Sequence, residues 1–494
     1  MKIKLLYAVF AILFTSVACT NLDEEIFDKI PANVYPENAD QIAGLTTDGY
    51  AKLKDLIDDG GWWYLAQEVS SDEVVFPTRD TDWDDGGKWR VLHSHDWSND
   101  VDAVNSMWSN LFDGITRCNN VLDRLKSFVP NEDTNRKIAE METMRALYYY
   151  LLMDNYGDVP YITSSIDAPE RPTKTKRAAV YDSLVVSLEK NIPLLLDADK
   201  KYLANKYMAN ALLAKLYLNA EVYTGTPQWE KAGEVIDVVL DGPYTFDSDF
   251  NGPFKTENEN NSELIFSIPF DEDDYQGFRL HMRTLHYNHN LTYDMSAGPW
   301  NGGCATEQHF NLYEEVDLRK ESWFIYGPQF ESSGSPLMDG SVPVVINPRI
   351  PALWIKSGVN TYEEIKMSGA RIGKFEIKKG AKENLSNDFP LFRYTDFMLM
   401  KAEVELRMER NGDEWINPVR ERAGVAALNN ATLEQLFQER GRELFAEGHR
   451  RQDQIRYGKW NQAWWEKPAK TGRSTFPVPK WASDANPNLL EPAQ

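Results

Sequence analysis

The run Met144–Tyr161, MRALYYYLLMDNYGDVPY, constrains this chain more than any other stretch. From Ala146 to Met153 eight consecutive residues are apolar or aromatic. A surface helix carries one apolar stripe, whereas a helix that is apolar all round must be buried on every side. The run is too short to span a bilayer, which takes about 20 residues. Gly157 supplies a stop signal and Pro160 lies just beyond it. The pattern predicts a central helix over Lys137–Tyr156 in a helix-rich domain. Two readings of its rings are open, a ligand box and core packing, and the second is the favoured one.

The chain has 494 residues with a net charge of −23, from 53 basic and 76 acidic side chains. A polyanion partner needs basic residues to displace counterions from phosphate, so a nucleic-acid partner is disfavoured. Fifteen tryptophans and 23 tyrosines suggest a surface built partly from rings. Of three cysteines, Cys118 and Cys304 lie past the N-terminal segment, which implies no disulfide framework. A single Cys118–Cys304 bridge is one reading; two independent buried thiols is the favoured one.

Residues 1–18 have the form of a signal peptide: Lys2 and Lys4, an apolar stretch from Leu5 to Phe14, then small residues before Cys19. Ser16-Val17-Ala18-Cys19 resembles a bacterial lipobox, with Ser16 where Leu is usual, so Cys19 is the expected lipidation site. Simple secretion is the alternative. Stable anchoring takes more than one acyl chain. Helical spacing runs over 38–58 and stops at Gly60-Gly61. Residues 62–97 are rich in Trp, Asp, Gly and Ser with little periodicity, as in a functional loop region. Helical patterns return over 101–128, 177–197, 206–224 and 228–241. Ala211, Ala214 and Ala220 allow close helix approach, and the pairs resemble tetratricopeptide repeats without a strict period. From about 243 to 388 short strand-like runs (264–268, 344–346, 373–377) alternate with loops. Helices resume at 390–411 and 432–447.

No Walker loop, G-x-S-x-G, H-E-x-x-H or paired-cysteine zinc pattern is present. His281, His286 and His289 share one stretch, and scattered loop histidines outnumber metal clusters. Asp80, Asp82 and Asp84 alternate as in a calcium loop, but Asp85 stands where an EF-hand has Gly and no Glu closes the loop. The tryptophans carry more information. Sugar rings present apolar C–H faces on which an indole plane stacks with large buried area. Neighbouring polar residues then bind the hydroxyls, which otherwise lose water without replacement. Trp83 and Trp89, flanked by Asp82, Asp84, Asp85 and Gly86-Gly87, fit that description, as do Trp300-Asn301 and Trp323. Each taken singly is as well explained as a plug between its loop and the core.

Seven segments in order carry a family likeness: CTNLDEE; SSDEVV; DWDDGGKWRVLHSHDW; RALYYYLLMDNYGDVPY; LFRYTDFMLMKAEVELR; QERGRELFAEGHRRQDQIRYGKW; FPVPKWASDANPN. The chain resembles SusD/RagB-type lipoproteins, surface nutrient-binding partners of TonB-dependent transporters in Bacteroidetes. The resemblance implies a mostly α fold, with tetratricopeptide-like helix pairs forming a superhelical scaffold and an irregular, short-strand-rich ligand-binding region. It implies one domain over 19–494, with scaffold at about 38–58, 101–242 and 390–465 and ligand-binding parts at about 62–97 and 243–388. Function is then capture of a polysaccharide or oligosaccharide without turnover, with no cofactor, and delivery to a SusC-like transporter. The expected place is the outer-membrane surface, held by a lipid anchor. Trp83, Trp300 and Trp323 match the family's ligand rings, with Trp89, Asp84 and Asn301 beside them. An extended β-linked plant glycan such as β-glucan, xyloglucan or xylan is the expected ligand. Peptide binding, as in RagB-like members, and a surface glycoside hydrolase are the alternatives. The charged helix over Glu439–Arg451 is a family signature expected to make buried Arg–carboxylate contacts.

Overall fold

The structure, a computed structural model, describes residues 39–58, 60–197 and 200–493. The leader segment and Cys19 lie outside these residues. The chain divides into two compact units, 1–47 and 48–494. In the first, Ala39–Thr47 forms helix α1. The second carries the remaining elements.

Its organising helix is the apolar run read above. Helix α2 (Trp63–Val69), α3 (Lys88–His93) and α4 (Asp102–Leu125) precede it, and α5 is Glu132–Tyr156. Asn131 caps α5, accepting from the Thr134 amide at 2.9 Å, and Glu132 and Asp133 favour the positive end of the helix dipole. Every residue from Ala139 to Tyr156 is buried, and Gly157 ends the helix at φ 74°. The expected helix is therefore present, beginning five residues earlier. Its tyrosines pack in the core, and their hydroxyls find partners: Tyr148 donates to Gly49 O at 3.1 Å, Tyr149 to Ile162 O at 2.9 Å and Tyr150 to Gln452 Oε1 at 3.0 Å. Gly114 of α4 lets α5 approach closely, since a Cβ there would sit 2.6 Å from the Tyr148 ring.

Helices α6 (Arg177–Asn191), α7 (Lys206–Leu218), α8 (Ala220–Thr224) and α9 (Trp229–Leu240) follow. Packing steps along the chain: α4 on α5, α5 on α6, α6 on α7, α7 on α9. Ala209, Ala211 and Ala214 are fully buried in α7, where small side chains admit the neighbouring helices. This is the tetratricopeptide-like superhelix expected from the pattern, and the protein is mostly helical. Four short helices punctuate the mixed segment: α10 (Leu280–Thr284), α11 (Glu307–Phe310), α12 (Leu318–Trp323) and α13 (Tyr362–Met367). Helix α14 (Tyr394–Arg407) then packs on α9, and α15 (Asp413–Arg422), α16 (Leu433–Glu443), α17 (Arg450–Arg456) and α18 (Lys480–Ala485) complete the chain.

Strands among the described residues form two-stranded ladders. The longest joins Leu264–Ile268 to Phe389–Arg393, antiparallel and bulged, so it ties the start of the mixed segment to its end. Phe389–Arg393 thus replaces the beginning of the helix expected from 390. All five residues are buried, and a short apolar run reads alike as a buried strand or a buried helix. The strand expected at 373–377 is absent; the ladder there is Arg371–Ile372 with Phe324–Ile325. Residues 62–97, expected to be irregular, contain α2 and α3.

The charged C-terminal helices form a buried ionic lattice, as the signature implied. Arg319 lies 2.8 Å from both Glu439 and Glu443, and Arg393 lies 2.6 Å from Glu447 and 3.1 Å from Glu443. Arg440 meets Asp453 at 2.7 Å, Arg456 meets Glu403 at 2.7 Å, and Lys215 meets Asp396 at 2.6 Å. Burial raises carboxyl pKa values, but here the guanidinium groups prevail. Arg319, Arg442 and Arg420 bring Glu439 down to about 2; Arg393 and Lys374 do the same for Glu447. Cys118 and Cys304 are free, buried thiols, which settles the open cysteine reading against a bridge.

Candidate functional site

Two loops far apart in sequence build one open groove of about 570 Å³. The first loop follows Val74-Val75, which pairs antiparallel with Cys304-Ala305 at the end of the second. That ladder fixes both loops side by side. Beyond it Thr78-Arg79 runs parallel to Trp354-Ile355, and a tight turn closes between Arg79 and Asp82. The chain then passes through left-handed conformations at Asp80 (φ 63°), Trp83 (φ 57°) and Asp85 (φ 43°) before entering α3. Non-glycine residues resist that region, and such strain persists only where surroundings over-determine it. Here buried Arg79 does so: it donates to Ile365 O and Ser368 O, each at 3.0 Å.

The second loop is strapped to α10. Trp300 N donates to Met282 O at 2.7 Å, Asn301 N to Leu285 O at 2.9 Å, and Gly302 and Gly303 both to Arg283 O. Gly302 lies directly beneath Trp83: a Cβ there would collide with the indole. The Trp83 Nε1 donates to Trp300 O at 2.7 Å, which joins the two loops at the groove itself.

Trp83 and Trp300 are half-buried and line this groove, with Tyr287, Asp82, Asp85 and Lys88 around them. Beneath Trp83 lies an aromatic stack. Phe76 and Trp89 are parallel with centroids 4.4 Å apart, and Trp62 sits 4.9 Å from Trp89. Trp83 leans on both Phe76 (5.1 Å) and Trp89 (5.5 Å). Arg283 lies against Trp300, its guanidinium 5.4 Å from the ring, and is paired with Asp58 at 2.7 Å. The groove carboxylates are engaged by protein groups: Asp82 accepts from the Tyr287 hydroxyl and Asp85 from Trp89 Nε1 at 2.8 Å; Asp84, between them in sequence, accepts from Arg90 at 2.8 Å. Tyr287 is pushed above its ordinary pKa by burial and by Asp82, so it stays a neutral donor.

The sequence-level candidates separate cleanly. Trp83, Trp300 and Trp89 come together, although Trp89 is buried and supports the ring above it. Asp84 does not line the groove; it is turned to Arg90, with which it pairs at 2.8 Å. Asn301 is buried behind the loop, its Oδ1 accepting from Arg371 at 2.8 Å and its Nδ2 donating to Lys366 O at 3.0 Å. It positions Trp300 and offers nothing to a ligand. Trp323 requires the plainest correction. It is 0% exposed, donates to Asn251 Oδ1 at 2.9 Å and lies under the Lys374 ammonium at 4.0 Å, so it has no free face. Tyr287, Lys88 and Arg283 line the groove and were missed by sequence reasoning; Tyr287, lodged between His286 and His289, was masked by them. Those histidines serve a turn: His289 Nδ1 accepts from the His286 amide at 3.0 Å and His286 Nδ1 from Asn288 at 3.2 Å. Burial pushes His289 down to about 3.

A family model described as "SusD family" matches residues 262–475, and one described as "Starch-binding associating with outer membrane" matches 22–218. The chain belongs to the SusD family. A starch-binding protein SusD of Bacteroides thetaiotaomicron is 24% identical, covering 86% of this chain and 83% of that protein. SusD-like protein P2 of Formosa agariphila is 21% identical over 99% of this chain and 93% of its own length. Among solved structures, surface glycan-binding protein A from Bacteroides thetaiotaomicron in complex with laminarihexaose superposes with a TM-score of 0.73 at 19% identity, covering 90% of this chain and 97% of that one. A SusD superfamily protein from Parabacteroides distasonis gives 0.73 at 20%, covering 91% and 98%. At these identities the superpositions establish this SusD-family protein's fold.

Proposed function

We propose that this protein captures a neutral glycan at the cell surface, on the groove of Trp83 and Trp300, without turning it over. One observation carries the reading: two half-exposed indoles, locked to each other by the Trp83 Nε1–Trp300 O bond, share a groove with hydroxyl, carboxylate and ammonium groups. Flat apolar faces beside fixed polar groups suit the alternating C–H faces and hydroxyl edges of a pyranose. The names of the relatives agree with it. A non-catalytic role is supported by Asp82, Asp84 and Asp85, each bonded to its own neighbour instead of standing free as an acid–base pair. An extended β-linked glucan is the first ligand to test, since a protein of this fold holds laminarihexaose. Delivery to a TonB-dependent transporter, and a lipid anchor on Cys19, complete the reading.

The test is affinity electrophoresis on a panel of plant and microbial polysaccharides, followed by calorimetry. Trp83→Ala and Trp300→Ala should each weaken binding by about 30-fold, the size of a hot-spot truncation. Unchanged affinity in both variants removes the groove from the proposal. Reducing sugar released on prolonged incubation would make the protein a hydrolase instead.

A further inference from the structure

The loop that carries Trp83 also holds an indole that does not line the groove. Among the described residues two tryptophans are exposed, Trp354 at 43% and Trp481 at 50%. A single exposed ring is ordinary; a rigidly held one is not. Trp354 pairs with Thr78 in the parallel ladder, and its Nε1 donates to Asp80 O at 3.1 Å. Two further bonds join Asp80 to the same segment: its amide donates to Ile355 O at 2.7 Å, and its Oδ1 accepts from Ser357 N at 3.2 Å. Asp80 is one of the residues at positive φ, so its strained backbone is held in place by the segment that carries the ring.

Trp354 is also close to the groove. Its ladder partner Thr78 donates its hydroxyl to Trp83 O at 3.3 Å, so one residue links the backbones of the two tryptophans. Two cations lie over the Trp354 ring, the Arg90 guanidinium at 4.4 Å from its centroid and the Lys356 ammonium at 3.9 Å. They are held differently. Arg90 is tied to Asp84 at 2.8 Å and to Thr78 Oγ1, so it backs the ring firmly. Lys356 is exposed, and among the described residues its ammonium has no carboxylate partner. An exposed cation–π contact is worth only about two- to fivefold in an equilibrium, less than a ligand loses when a tryptophan anchor is removed. A pyranose therefore displaces the lysine tail, whose ammonium stays beside the ring as a donor to a hydroxyl.

We infer that Trp354 is a second stacking platform, reached by a glycan already seated on Trp83, so that the ligand of this protein is an oligomer and not a single ring or a disaccharide. The inference rests on the reading of the Trp83–Trp300 groove as the glycan site. A ring fixed by its ladder, its N–H and Arg90 asks little further ordering of a ligand. A chain held at Trp83 presents its later units to Trp354 at high effective concentration. Affinity then grows with chain length until Trp354 is covered, and levels off beyond that.

The experiment is calorimetry on the full chain with cello-, laminari- and xylo-oligosaccharides from disaccharide to octasaccharide, at a temperature where every variant is folded. Wild type is compared with Trp83→Ala, Trp354→Ala, Lys356→Ala and, as an exposed ring on α18, Trp481→Ala. In the series that binds, wild-type affinity should rise with length. Trp354→Ala should weaken the octasaccharide about tenfold and leave the shortest binding member unchanged, which flattens the dependence on length. Trp83→Ala should weaken every member. Lys356→Ala should stay within about threefold of wild type, because the tail gives way to the ligand. Trp481→Ala should change nothing. The inference is overturned if Trp354→Ala leaves the octasaccharide unchanged, if it weakens the shortest ligand as much as the longest, or if Lys356→Ala or Trp481→Ala costs as much as Trp354→Ala. When Trp83→Ala lowers affinity in those same titrations, the groove reading stands and only the second platform falls. If no oligosaccharide binds, both fall.

Discussion

The C-terminal helices and the tryptophan groove invert the usual signs of chemistry. Arg319, Arg393, Arg440, Glu439, Glu443 and Glu447 crowd together like catalytic machinery, yet all are buried and each is paired with a buried opposite charge. The groove holds fewer charges, and its distinguishing residues are two indoles left half-exposed. A buried ion pair removes charge from reach, because both partners exchange water for each other. A half-exposed ring keeps one face for a ligand. Residue type alone therefore does not separate scaffold from site; what separates them is whether a side chain's bonding capacity is closed within the protein.

The sharpest way to break this contrast is to open the lattice. Arg393→Ala leaves Glu447 and Glu443 with a lost partner and should destabilise the protein by about 3–5 kcal/mol in denaturant melts. The fraction that still folds should bind glycan normally; a stable protein that had lost binding would place the site in the lattice. Tyr149→Ala and Trp323→Ala should cost roughly 3–5 kcal/mol each as large core truncations, again with binding intact in the folded fraction. Trp83→Ala is their mirror image: it should change stability by less than about 1 kcal/mol while weakening binding about 30-fold. If Trp83→Ala melts like Trp323→Ala, the groove is only another piece of core.

Protons sharpen the comparison further. Glu439, Glu447 and Asp453 are held near about 2 in the fold, below their unfolded values of about 4. Their stabilisation is full above those unfolded values and should be lost as pH falls from about 4.5 towards 2. Glu68 shifts the other way. Burial pushes it up to about 8, so its contribution is full below about 4 and is lost as pH rises towards 8. Glu68→Gln should therefore gain on the order of 1–3 kcal/mol relative to wild type between pH 5 and pH 8, read from melts at the two values. A parallel offset at both pH values would show that Glu68 does not titrate in this range.

Much of this was legible in the sequence because local pattern and burial agree in the helices. The all-round apolar run of α5 left little choice but a buried hub, and Gly157 ends it where expected. The groove was legible only in part. Trp83 and Trp300, singled out through their Asp- and Gly-rich neighbourhoods, do share one groove, whereas Trp323, drawn in by the same reasoning, does not. Its burial is set by Asn251 and Lys374, distant residues that no local window contains. Asn301 failed for a related reason: being next to a groove ring in sequence put it on the opposite side of the loop. Residues 390–393 were read as the start of a helix because a short buried apolar run carries no distinguishing period. Its strand identity comes from Leu264–Ile268, more than a hundred residues away.

Gly302 gives the groove an unusual evolutionary handle. Any side chain there must displace the Trp83 indole or the Arg283 carbonyl, and the groove depends on both of these. A single substitution at this position would thus reshape the groove without replacing a side chain that lines it or any part of the helical scaffold.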